Sequence, residues 1–133
     1  MKFFSPQRVN ALIPKVAPLV AELLVKRREL AIKLLESETL GTSVGPAASR
    51  LAGPRHVLPT PRFGERKAEI VRLIHRIETF GCVVKDIDLG LLDFPATRGG
   101  SPIWLCWKAG EETIAYWHGS DEGFADRRPL DTL

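Results

Sequence analysis

Residues 115–130, AYWHGSDEGFADRRPL, crowd His118, Asp121, Glu122, Asp126, Arg127 and Arg128 around two glycines. A histidine among carboxylates can move protons or hold Mg²⁺ or Mn²⁺. Paired arginines can neutralise an anionic substrate such as a phosphate. On this reading His118, Asp121, Asp86 and Asp93 are the catalytic candidates, with Glu111 at the same edge of the fold. Lys85, Trp107, Tyr116, Arg127 and Arg128 are the ligand-contact candidates. The competing reading is internal: Asp121 or Asp126 pairs with Arg127 or Arg128 and caps the chain end.

Two further chemistries use the same residues. Cys82, Cys106 and His118 are zinc-ligand types, and Asp121 offers a fourth. Their spacing matches no compact zinc motif, and two buried structural cysteines would explain the thiols equally well. Ser120 and His118 stand two apart, but no nucleophile elbow accompanies them.

The stretch VVKDIDLGLLDFP, residues 83–95, leaves two hairpin registers open. A two-residue loop, Leu89-Gly90, sets Asp86 opposite Asp93. Facing carboxylates need a cation or a shared proton, which would make a site. A three-residue loop, Asp88–Gly90, sets Lys85 opposite Asp93 as an ordinary ion pair. Glycine at the end of the turn favours the second register.

The elements that must position these residues follow from hydrophobic period. Ser5-Pro6 is a helix start, with serine capping and proline at the first position. Pro14 predicts a break after a short helix over about 6–13. From Val16 a row of Leu19, Leu23, Leu30 and Leu34, widened by Val20, Leu24, Ala31 and Leu35, predicts a helix to about Ser37. The helical region is thus 5–38. Residues 39–63 are rich in Gly, Pro, Ser and Ala and read as a mobile linker with a short turn near Ala47–Leu51. Ile70, Leu73, Ile74, Ile77 and Phe80 predict a second helix over 64–80, ended by Gly81 at positive φ. The period then becomes strand-like, with strands expected near 82–87, 91–96, 102–108 and 113–118, followed by a tail over 119–133. A turn centred on Ala109-Gly110 groups Ile103, Leu105 and Trp107 with Ile114, Tyr116 and His118. It groups Trp104, Cys106 and Lys108 with Ala115 and Trp117. The expected class is α+β, in one domain over 1–133: a long antiparallel helical hairpin followed by a small four-stranded antiparallel meander.

Composition bounds the partners. The 133 residues are 44% hydrophobic and 26% charged, ordinary for a globular chain. No apolar run reaches the roughly 18 residues of a membrane helix, and the N-terminus turns polar too early for a secretory leader. Two distant cysteines suit free thiols in a reducing cytoplasm. Charge is uneven: residues 1–80 hold 14 Lys/Arg against 7 Asp/Glu, and residues 81–133 hold 5 against 9. The basic half could meet an acidic protein, nucleic acid or the acidic half of a second copy. Lys26, Arg27, Arg28 and Lys33, with Arg66, Lys67, Arg72 and Arg76, would form that surface.

The pieces VNALIPKVAPLV, GCVVKDIDLGLLDFPA, LCWKAGE and YWHGSDEGFADRRPL, taken together, resemble an uncharacterised bacterial family, domain of unknown function 2203. The resemblance covers nearly the whole chain outside residues 39–63. It implies a helical hairpin joined to a small sheet and brings no established activity or cofactor. The expected function is therefore that of an interaction or ligand-binding module, a homodimer. A metal-assisted or phosphate-directed hydrolase is the alternative, and nucleic-acid binding through the basic helices comes third.

Overall fold

The computed structural model describes residues 2–43 and 62–133; the side chains of Lys33, of residues 36–43 and of residues 62–63 are also left out. Helix α1 runs Pro6–Ser43 and helix α2 runs Arg62–Glu78. Strands β1 (Val83–Asp86), β2 (Leu91–Arg98), β3 (Ser101–Lys108), β4 (Tyr116–Gly119) and β5 (Arg128–Pro129) follow. The class is α+β, and the sheet has five strands in sequential order, each antiparallel to the next. The expected fourth strand is therefore not the last: the tail adds β5 alongside β4. The expected turn near Ala47–Leu51 lies outside the described residues. Among these, no helix is long and apolar enough to cross a membrane.

Helix α1 starts as expected, with the Arg8 N–H donating to Ser5 Oγ at 3.3 Å. The expected break at Pro14 does not occur; α1 passes through both Pro14 and Pro18. Both prolines are exposed, so the carbonyls they leave without a donor can be solvated. On the opposite side Val9, Ile13, Val16, Val20 and Leu23 are buried at unbroken helical spacing. Packing of that row outweighs the lost hydrogen bonds. The helix also continues past the expected end, to Ser43, and α2 begins two residues before its expected start. Ion pairs Lys26–Glu69 and Arg66–Glu29 lace the two helices in antiparallel order.

Helix α1 also lies along the sheet. The Phe4 N–H donates to Pro95 O at 2.7 Å, and the Phe4 ring meets Phe94 edge-on. Asn10 Oδ1 accepts from the Ile114 N–H at 2.7 Å, and Arg27 pairs with Asp88 beyond the other end of β2. Leu92, Phe94, Ala96, Ile103, Leu105, Trp107 and Trp117 form the sheet's contribution to this core. Gly81 ends the α2 region at φ 104°, and an added Cβ there would stand 2.7 Å from the Phe4 ring.

Candidate functional site

The sheet register decides which charges meet, and it corrects both hairpin readings. Val83 pairs with Asp93, Val84 with Leu92 and Asp86 with Leu91, with a bulge between Val84 and Asp86. Neither Asp86 nor Lys85 stands opposite Asp93. The connection is longer than either expectation because the Asp86 carboxylate organises it. Its Oδ1 accepts from the Asp88 and Leu89 N–H groups at 2.8 and 2.9 Å. Lys85, in the bulge, lies over the Trp104 ring at 5.2 Å.

The last hairpin is corrected as well. Trp104 pairs with His118, Leu105 with Trp117 and Cys106 with Tyr116. This register differs by an odd number of residues from one centred on Ala109-Gly110. An odd slip exchanges the two faces of a strand. Tyr116 and His118 therefore share a face with Trp104 and Cys106, while Trp117 joins Leu105 and Trp107 toward the helices. The cause is the path of residues 111–115, which fold inward instead of extending β4. The Trp107 indole N–H donates to Glu111 O, Glu111 Oε1 accepts from the Lys108 N–H, and Asn10 holds Ile114.

The outer face then assembles a polar cluster from three adjacent strands. Asp93 of β2 pairs directly with Cys106 of β3, and His118 of β4 stands diagonally beside them. Asp93, Cys106 and His118 are 2%, 1% and 2% exposed. His118 Nε2 lies 2.9 Å from Asp93 Oδ2, and His118 Nδ1 lies 2.9 Å from Gly119 O. A carbonyl only accepts, so Nδ1 carries a hydrogen and Nε2 faces the carboxylate. Asp93 Oδ1 is buried without a hydrogen-bond partner among the described residues. One ligand-type atom from each of the three side chains falls within 4.8 Å of the others. These are the residues that could hold a metal. Burial, and next the charge of Asp93, push the Cys106 thiol up to about 12, against the opposing charge of Arg127.

The tail closes over this cluster. Arg127 lies over the rings of Tyr116 and Phe124 at 4.1 and 4.3 Å, and Lys108 lies over Phe124 at 5.7 Å. Arg127 donates to both carboxylate oxygens of Glu111 at 3.2 Å. Arg128 pairs with Glu122, at 2.7 and 2.6 Å. The two arginines are thus satisfied internally, but by glutamates rather than by Asp121 or Asp126. Glu122 also accepts from the Gly119 N–H, and the bond from Arg128 is the main reason its carboxyl sits below the usual range. Asp126 accepts from the Gly123 N–H in its own turn.

Of the catalytic candidates, the fold brings together His118 and Asp93. Asp86 is committed to its turn and Asp121 is exposed beyond the strand end. Of the zinc candidates, Cys106 and His118 meet. Cys82 lies in the core beneath the helices, its thiol 3.4 Å from Ile77 O. Trp107 is buried on the helix side, away from the proposed ligand contacts. Of the basic residues, Lys26, Arg27 and Arg66 are held in ion pairs. Sequence reasoning joined Asp93 with His118 as acid–base candidates and Cys106 with His118 as zinc candidates, but did not bring all three together. One signal was present: Asp93 is a lone charge inside LLDFPA, a run otherwise suited to complete burial.

A family model described as "Uncharacterized conserved protein (DUF2203)" matches residues 2–130. No curated protein and no solved structure matches the chain. The chain belongs to that family, whose description carries no activity.

Proposed function

From that membership, we propose that the protein is a ligand-binding module whose site is the Asp93–Cys106–His118 cluster beneath the Arg127 cover. One observation carries the reading: a carboxylate 2% exposed spends one oxygen on His118, while its other oxygen has no strong donor and only the weakly donating Cys106 thiol close by. An unpaired buried acceptor costs about 1–3 kcal/mol, more when charged. A purely structural polar pair would be expected to satisfy it. Such local conflicts gather where a site is kept for use.

The test is Asp93→Asn. Its amide N–H can donate to the Nε2 lone pair while the buried charge is removed. For a binding site the variant should match wild-type stability within about 1 kcal/mol, or exceed it, in chemical denaturation. A loss of about 3–5 kcal/mol would identify a structural ion pair and overturn the reading.

A second reading, self-association, rests on a different observation. Val25 and Ile32 are 47% and 49% exposed and stand two turns apart on α1, roughly opposite the buried row of Val16, Val20 and Leu23. Leu35, 65% exposed, extends the apolar surface toward the helix end. A second copy of the chain would cover it.

A further inference from the structure

We infer that Asp93, Cys106 and His118 form a zinc-binding site, a reading that deepens and rests on the ligand-binding proposal above. The argument begins at the 2.9 Å contact between His118 Nε2 and Asp93 Oδ2. With its hydrogen committed to Gly119 O through Nδ1, a neutral imidazole offers a lone pair at Nε2. A lone pair and a carboxylate oxygen this close require a cation between them, either a proton or a metal ion. Metal-bound histidines are oriented in the same way, with the other ring N–H held by a carbonyl or carboxylate.

The third donor sets the metal. Cys106 brings sulfur to an imidazole and a carboxylate, all within 4.8 Å. Around tetrahedral zinc, with bonds of about 2.0–2.3 Å, ligand atoms lie about 3.3–3.8 Å apart. The His118–Asp93 contact would have to widen by roughly half an ångström, and the sulfur would have to draw in, to reach that spacing. Magnesium and calcium prefer oxygen alone, whereas a sulfur, nitrogen and oxygen set suits zinc. Charge agrees: binding releases the Cys106 proton to solvent, the resulting thiolate and the carboxylate offset the 2+ ion, and the neighbouring Arg127 is already balanced by Glu111. Asp93 Oδ1, buried with only the weak Cys106 thiol as a close donor, is the sign that the cluster is built for something more than its own contacts.

The three ligands sit on adjacent strands, so the sheet itself holds their spacing. Three protein donors leave a fourth position for water or a small ligand. Loading requires the segment around Arg127 to lift, because each ligand residue is at most 2% exposed.

Cobalt titration of the full chain, purified without chelator or a polyhistidine tag, is the decisive experiment. Wild type should bind one Co²⁺ with a sulfur-to-cobalt charge-transfer band and tetrahedral ligand-field bands, and zinc should displace it. Cys106→Ser should lose the charge-transfer band, and Asp93→Asn and His118→Asn should each weaken binding at least tenfold. Cys82→Ser should bind like wild type. Thermal melting of the wild type should also rise with zinc concentration, a readout independent of any variant's folding. Absence of a charge-transfer band, or a band that survives Cys106→Ser but not Cys82→Ser, would overturn the zinc site. With both proteins stripped of metal for the stability comparison, a stable Asp93→Asn and no cobalt binding by wild type would remove the zinc inference and leave the ligand-binding reading standing; a strongly destabilised metal-free Asp93→Asn would remove both.

Discussion

Cys82 sits 3% exposed among the side chains beneath the helices, and burial is the main force that pushes its thiol up to about 12. An acid whose folded pKa is raised holds its proton longer in the folded state than in the unfolded chain. Its contribution to stability is therefore intact below the ordinary thiol value of 9.0 and falls as pH rises from there toward 12. The expected slope is about 1.4 kcal/mol lost per pH unit in that window. Urea denaturation at several alkaline pH values should show it, and Cys82→Ala should make that limb shallower by about this amount, leaving the share that belongs to Cys106. An unchanged alkaline limb in the variant would mean that other groups control it. Asp93 illustrates what sequence carries at this scale: a charge inside a strand of apolar neighbours is visible as an anomaly. Its partner is not, because His118 is 25 residues away and the choice among Asp86, Lys85 and His118 depends on register.

The elements were legible where one period dominates. Ser5-Pro6 at the start of α1, the α2 stripe and Gly81 after it all follow from local rules. Pro14 misleads because its local penalty competes with a row of buried side chains that only the fold supplies. The two hairpins mislead for a related reason. Their registers are set by side chains from elsewhere in the structure or within the turn: Asp86 on the turn amides, Glu111 on Lys108, and Asn10 on Ile114. Gly90 shows how tightly one turn is tied to the helix. At φ 72°, a Cβ there would stand 2.8 Å from Ala109 Cβ and 3.1 Å from Val20 Cγ1. Gly90→Ala should therefore destabilise the protein by about 2–4 kcal/mol, through backbone strain and overpacking together. Denaturant midpoints would measure this; a cost under about 0.5 kcal/mol would show that the turn relaxes freely.

At the scale of the whole molecule, the exposed large apolar side chains include Val25, Ile32, Leu34 and Leu35 along α1. On the sheet's second face Arg127 lies over Tyr116 and Phe124, and Lys108 lies over Phe124. Self-association is expected through the exposed Val25 and Ile32 of α1. Light scattering at micromolar concentration should give twice the chain mass for wild type and the chain mass for Val25→Lys/Ile32→Lys. A monomeric wild type removes that reading. The amino-acid sequence by itself determined the α+β class, the two amphipathic helices, the antiparallel strands and the presence of chemically capable residues, because each depends on local period and residue type. Only the tertiary structure decided that Asp93, Cys106 and His118 share one buried face while Asp86 and Asp121 stand apart. The reason is that strand faces alternate with every residue, so a bulge at Lys85 and an inward fold after Lys108 were enough to choose which side chains meet.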